Sequence, residues 1–299
     1  MYRNLVLLFD GIGEVIGEKT LGKDPVITER YLRMRKHFQE VIEKELNEFP
    51  RRSEEEENHV KEWIDKYLYD CCMYERWKPY MEVEAAVPYS IGLITALACL
   101  QGIRIEDGIR LIVSSYFYSK GKGEKEMMLM MVAGFEKREI AAMIEQARET
   151  GNVFQAAELG DIYMLLSGLK DSMEKLYPVF IENGAMKTAK LPAPVAYHTP
   201  LAKKHIQEFE SYVRDIEVKD IRIPICSMYS NQMLCRKEQL QRELVINLYR
   251  KMNAAGCIEA IMQKRERIFF EIGAGKSLYK IYRSINGEIN ILKNLREGN

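Results

Sequence analysis

Two residues in this sequence stand where nucleophilic chemistry is feasible. Ser90 lies in Val83-Glu84-Ala85-Ala86-Val87-Pro88-Tyr89-Ser90-Ile91-Gly92-Leu93. A short apolar run there predicts a buried strand that breaks at Pro88, and the run from Ile91 to Gly102 predicts a helix. A serine on such a strand-to-helix turn has its hydroxyl lifted clear of the sheet, within reach of a base. The N–H of the next residue sits at the helix start, placed to receive a developing oxyanion. Gly92 would let the helix lie close to the strand. Pro88 occupies a position where such turns usually carry glycine, and a serine here serves equally as a plain helix N-cap. A base is offered by His198, which ends the run from Pro194 to Tyr197 and precedes Thr199-Pro200-Leu201. The alternative for His198 is a histidine that satisfies loop carbonyls.

The elements that would position these two residues read as alternating strands and helices. Leu5 to Phe9 predicts a first buried parallel strand, followed by Asp10-Gly11-Ile12-Gly13-Glu14. Two glycines directly after a strand permit a tight loop whose N–H groups can face a ligand, but no third glycine follows, which excludes a dinucleotide fingerprint. Ile27 to Phe49 and Glu55 to Trp77 predict two long charge-rich helices, and Ile105 to Ser119 a further one. Past the polar joint Lys120-Gly121-Lys122-Gly123-Glu124-Lys125 the pattern becomes βαββαβ: Met127 to Ala133, Glu136 to Glu149, Val153 to Ala157, Asp161 to Leu166, Leu169 to Asn183 and Met186 to Leu191. That order predicts a ferredoxin-like unit inserted in a larger α/β domain. The expected division is 1–124 with 195–299 as a large parallel-sheet, α/β-hydrolase-like domain, and 125–194 as the small subdomain. The run Met127-Met128-Leu129-Met130-Met131 reads as core filler. Ile223 to Met228 predicts a strand, Gln239 to Leu248 and Ile258 to Arg265 helices, and Ile268 to Ile272 a last strand. Gly273-Ala274-Gly275 then opens a terminal helix.

Composition narrows the function. With 299 residues, 47% of them hydrophobic and 29% charged, the chain can bury a large core and remain soluble. Lysine plus arginine equals aspartate plus glutamate at 44 each, so no global field favours nucleic acid or an anionic membrane. Cys71, Cys72, Cys99, Cys226, Cys235 and Cys257 form no CxxC pair and show no metal-ligand spacing, which predicts reduced thiols and no metal. The apolar stretch Leu5 to Phe9 is too short for a signal-peptide core, and no run approaches the roughly 20 apolar residues a membrane helix needs. A cytoplasmic location without membrane partners is the expectation.

Four landmarks in one order carry a resemblance. Phe9-Asp10-Gly11-Ile12-Gly13-Glu14-Val15 is similar to FPGQGSQ. Pro88-Tyr89-Ser90-Ile91-Gly92-Leu93 is similar to GHSLGE, Val195-Ala196-Tyr197-His198 to an xAFH pattern, and Glu271-Ile272-Gly273-Ala274-Gly275-Lys276-Ser277-Leu278 to EVGPGKVL. These motifs belong to the malonyl-CoA:acyl-carrier-protein transacylase family, which includes acyltransferases of polyketide synthases. The chain resembles that family over nearly its whole length, least from Thr20 to Glu82, and the inserted ferredoxin-like unit agrees with it.

The resemblance implies specific roles. Ser90 would accept the acyl group, with His198 as its base. Backbone N–H groups of Ile12 and Ile91 would hold the oxyanion, and the main-chain carbonyl at Asn253 would orient the histidine. The substrates would be acyl-CoA or phosphopantetheine thioesters with no bound cofactor, and the partner an acyl carrier protein. Lys203, Lys204, Lys276, Lys280 and Arg283 would form its docking surface. Ser115 falls where the family carries the arginine that grips malonyl carboxylates, and no serine reproduces that bidentate contact. Arg110 lies five residues earlier, about 140° round a helix, and so faces elsewhere. With Tyr197 narrowing the acyl pocket, the expectation is transfer of non-carboxylated, unbranched acyl groups, either to a carrier protein or to water in an editing hydrolysis. Two alternatives remain at this stage: a malonyl transferase with a substitute cation, and a catalytically silent carrier-binding scaffold.

Overall fold

The computed structural model describes residues 1–11, 15–50, 52–120, 126–146, 152–191, 195, 197–263, 267–275, 277–285, 289–292 and 294–295. In chain order the first part comprises β1 (Tyr2–Phe9), α1 (Glu18–Leu21), α2 (Pro25–His37), α3 (Gln39–Asn47), α4 (Glu54–Trp77), β2 (Met81–Pro88), α5 (Gly92–Cys99) and α6 (Ile105–Lys120). Next come β3 (Met127–Ala133), α7 (Lys137–Gln146), β4 (Val153–Glu158), β5 (Tyr163–Leu169), α8 (Lys170–Glu182) and β6 (Lys187–Leu191). The last part holds α9 (Ile206–Arg214), β7 (Ile225–Cys226), β8 (Met233–Leu234), α10 (Lys237–Ile246), β9 (Met252–Asn253), α11 (Ala254–Met262), β10 (Ile268–Ile272), α12 (Ser277–Ile285) and β11 (Asn290–Leu292).

Leu5, Val6, Leu7, Leu8 and Phe9 of β1 are all fully buried, because this strand lies inside a sheet covered on both faces. The six-stranded sheet runs β11-β10-β1-β2-β7-β8, parallel from β11 to β7, with β8 antiparallel to β7. The C-terminal ends of β1, β2 and β10 therefore lie side by side at one edge, the position where open α/β sheets place their ligands. The second sheet runs β6-β3-β5-β4-β9. Its first four strands are antiparallel in ferredoxin-like order, and β9, from outside the βαββαβ unit, joins in parallel with β4. The fold is thus α/β with a ferredoxin-like insertion. Met128 and Met130 lie in the small apolar core with Phe135, Met173 and Phe180, on one face of β3, while Leu129 faces the large core.

Several elements differ from their sequence-based outline. The helix expected over Ile27 to Phe49 breaks at Phe38, whose φ of −93° and ψ of 7° separate α2 from α3. The break lets Ile27 and Tyr31 face α4 while Ile42 and Leu46 turn to α6. The strand expected over Ile223 to Met228 is only the two residues of β7, and β11 follows the strand expected to be last. Tyr197 and His198 lie in a turn. Among the described residues, no helix is long and apolar enough to cross a membrane.

Candidate active site

β2 delivers the chain to Ser90, and α5 leaves from it. The Tyr89 N–H donates to the Phe9 carbonyl at 2.8 Å, extending the β1–β2 pairing one residue beyond the strand. Ser90 then adopts φ 56°, a left-handed conformation rare for a residue with a side chain. Such strain persists only where the surroundings enforce it, and it clusters at working sites. The enforcement comes from Gly92: a Cβ there would stand 2.3 Å from the Phe9 carbonyl oxygen and 2.6 Å from that of Asp10. Only glycine lets α5 start so close to β1. Helix α5 is capped at Ile91 with no side-chain hydrogen bond, so Ser90 is not its capping residue. Its hydroxyl is left for other work.

That hydroxyl meets His198. Ser90 Oγ lies 2.9 Å from His198 Nε2. His198 also has a left-handed backbone, with φ 61°, and its N–H donates to the Leu248 carbonyl at 2.7 Å. His198 is only 3% exposed, and burial pushes its pKa down to about 3, partly offset by the Asn247 main-chain carbonyl. Nδ1 is buried and makes no well-aligned hydrogen bond, as catalytic contacts often do not before substrate binds. Because the folded pKa lies below the ordinary 6.5, the neutral base persists above about pH 3. Formation of an acyl-enzyme should therefore stay level as pH falls from 8 through 6.5 to 5, followed by rapid quench. A decline centred near 6.5 would show a solvated imidazole instead.

The histidine-orienting role expected at Asn253 is not supported by its position. Asn253 caps α11, accepting from the Gly256 N–H at 2.9 Å, and does not line the site. Asn247, at the C-cap of α10, stands beside His198 instead. Its Nδ2 donates to the Ser90 carbonyl at 3.3 Å, and its Oδ1 accepts from the Tyr229 hydroxyl at 2.6 Å. One side chain thus ties the serine turn to Tyr229. Asn247→Ala should lower the acylation rate about tenfold with little change in KM, since it removes roughly two hydrogen bonds that fix geometry. A larger change in KM than in kcat would show that Asn247 contacts substrate rather than positioning the pair. The sequence offers a faint signal for it, an amide at a helix end followed by the apolar pair Leu248-Tyr249.

The remaining expected residues distribute unevenly. In the first turn of α5, the N–H groups of Gly92, Leu93 and Ile94 bond to the carbonyls of Tyr89, Ser90 and Ile91; that of Ile91 makes no such bond among the described residues. Ile12 and Lys276 lie outside the described residues. Ser115 and Tyr197 both line the cavity at Ser90 and His198, with Ile94, Phe209, Leu244 and Leu248 around them. Ser115 donates to the Ile112 carbonyl at 2.9 Å and lies 3.5 Å from the Tyr197 hydroxyl. The cavity measures about 10 Å³, the space of about one water. Among the described residues no lysine or arginine lines it, and Arg110 is engaged with Glu45 at 3.1 Å and Asp107 at 3.5 Å. Lys203 and Lys204 are exposed in the turn after His198, with Lys203 Nζ 4.8 Å from the centre of the Tyr249 ring, and Lys280 and Arg283 are exposed on α12.

A serine on a strained strand-to-helix turn, paired with a histidine from a distant loop of an α/β domain with a ferredoxin-like insertion, defines the class. The fold is that of malonyl-CoA:acyl-carrier-protein transacylases, the family that the sequence resembles. The chain is 22% identical to the malonyl-CoA:acyl-carrier-protein transacylase of Bacillus subtilis over 208 residues, covering 68% of this chain and 65% of that protein. It thus spans about two thirds of that relative. The transacylase structure from Coxiella burnetii superposes with a TM-score of 0.80 at 17% identity, over 98% of this chain and 94% of that one. A malonyl-transacylase solved in complex with a type II polyketide synthase acyl-carrier protein gives 0.78 at 16%, over 97% and 95%. No family model matches the sequence.

Proposed function

We propose that this protein is a serine-dependent acyl-thioester transferase that carries an acyl group on Ser90 and passes it to an acyl carrier protein. The observation that carries this reading is the 2.9 Å contact between Ser90 Oγ and His198 Nε2 at the end of β2. Ser90 Oγ attacks the thioester carbonyl of acyl-CoA while its proton passes to His198 Nε2. The resulting oxyanion is received by the Ile91 N–H and, as the family resemblance implies, that of Ile12. Collapse breaks the C–S bond, and His198 returns the proton to the departing thiolate. In the second half the carrier's phosphopantetheine thiol gives its proton to His198 and attacks the acyl-serine. Ser90 leaves with that proton. Water in place of the thiol would make the same site an editing hydrolase.

The acyl group that suits this site is short and uncharged. Ser115 replaces a carboxylate-gripping arginine, Arg110 is occupied by Glu45 and Asp107, and the cavity is lined mainly by apolar side chains. The exposed cations after His198 and on α12 suit an acidic carrier. With acyl-Ser90 protein and a phosphopantetheinylated carrier protein, acyl transfer should outpace hydrolysis. Lys204→Glu and Lys280→Glu should each slow carrier transfer about two- to fivefold at low salt, and leave transfer to a small thiol unchanged. Equal losses with both acceptors would remove these lysines from the docking surface, and faster hydrolysis than transfer would favour the editing role.

A further inference from the structure

The chemistry proposed above uses Ser90, His198 and two N–H groups, yet a further set of charges is buried beside them. Lys66 of α4 points into the interior, with a side chain only 6% exposed, and donates to the carboxylates of both Asp10 and Asp70. Asp70 is one turn along the same helix. Asp10 is different: it lies 56 residues away, immediately after β1, and opens the loop that leads to Ile12. Its side chain is 2% exposed and lies under the Gly273 turn, where a Cβ would come within 2.8 Å of Asp10 Oδ1. The next residue, Gly11, lies against the serine turn, where a Cβ would stand 3.2 Å from that of Ser90. Glu271 completes the group by accepting from the N–H groups of Leu278 at 3.0 Å and Tyr279 at 2.7 Å, which anchors α12 behind the same turn. Burial, with Asp10 nearby, pushes Asp70 and Glu271 up to about 7.

A buried ion pair of this kind adds little net stability, because desolvation offsets the attraction; what it contributes is a fixed geometry. The geometry fixed here is that of Asp10 and Gly11 beside Ser90. The motif FPGQGSQ has proline where this chain has Asp10, and a proline restrains the loop through its own ring. Asp10 has no such restraint. We infer that the Lys66–Asp10 tie is a positioning device that holds the Asp10-Gly11 backbone against the Ser90 turn, at the base of the segment whose Ile12 N–H the family resemblance assigns to the oxyanion. Lys66 and Asp10 act through the loop and touch no reacting atom. The inference rests on the acyl-transfer reading for its natural substrate, but oxyanion stabilisation at Ser90 can be measured without that substrate.

The test compares wild type, Asp10→Ala and Asp10→Asn in two assays: acylation by a thioester, and phosphonylation of Ser90 by a fluorophosphonate, whose adduct needs the same donors. Asp10→Ala leaves Lys66 paired with Asp70, so it avoids an isolated buried charge; Asp10→Ser replaces it if the alanine variant does not fold. The kcat of acylation and the phosphonylation rate should both fall about ten- to a hundredfold, with KM within about threefold, as expected when a group is displaced by roughly 1 Å. Asp10→Asn still accepts from Lys66 and should recover to within about fivefold of wild type. A folded Asp10→Ala protein that matches wild type in phosphonylation, or a loss confined to KM, overturns the inference. If no thioester acylates even the wild type, the acyl-transfer reading fails, and phosphonylation still decides the role of Asp10.

Discussion

In a mixture of malonyl-CoA and acetyl-CoA, the wild-type protein should acylate Ser90 faster with acetyl. A carboxylate entering this enclosed site loses hydration, and a fixed guanidinium is the partner that would restore it. Ser115 cannot replace that partner, since its hydroxyl is engaged with the Ile112 carbonyl and lies near Tyr197. Removing the charged partner of a buried carboxylate typically costs about 3–5 kcal/mol, or roughly a hundred- to thousandfold or more in specificity. The space at the site is about that of one water, so Tyr197 and Phe209 should also favour short, unbranched chains over branched ones. Ser115→Arg should move the ratio of kcat/KM values toward malonyl by at least about tenfold. Faster acylation of wild type by malonyl would show that a cation outside this lining reaches the carboxylate.

His198→Ala should slow both formation and breakdown of the acyl-enzyme by about a hundred- to ten-thousandfold, the usual contribution of a general acid–base group. Both half-reactions should suffer, because one imidazole accepts a proton in each and returns it. The fall should appear in kcat with KM little altered, since the 2.9 Å contact is to the nucleophile and not to bound substrate. Imidazole added to the variant should restore part of the rate. A loss of deacylation alone would assign His198 to thiol activation only.

How far the sequence disclosed this arrangement depended on how local each feature is. The Ser90 turn was legible because an apolar run, Pro88 and Gly92 lie within a few residues of one another. The alternation of Met128 and Met130 is likewise a property of a single strand, and both occupy the small core. The break at Phe38 was not legible, because the helical pattern continues through it and only packing against two different helices turns the chain. A strand was legible within Ile223 to Met228, but its shortening to the two residues of β7 follows from its pairing with β2 and β8, which no local pattern encodes. Asn247 and Asn253 are two amides in one short stretch. Which faces the histidine follows from where α10 ends, and the asparagine nearer α11 is used as its cap. The tie from Lys66 to Asp10 spans 56 residues, and its lysine reads in sequence as one more charge on a charge-rich helix.

The most direct test of the central claim is intact-mass analysis after brief incubation with a panel of acyl-CoA and acyl-carrier thioesters, followed by peptide mapping. One added acyl mass is expected, carried on the peptide that contains Ser90, lost in Ser90→Ala and discharged by a carrier-protein thiol. An adduct on a cysteine, with Ser90→Ala still acylated and still competent in transfer, would contradict it.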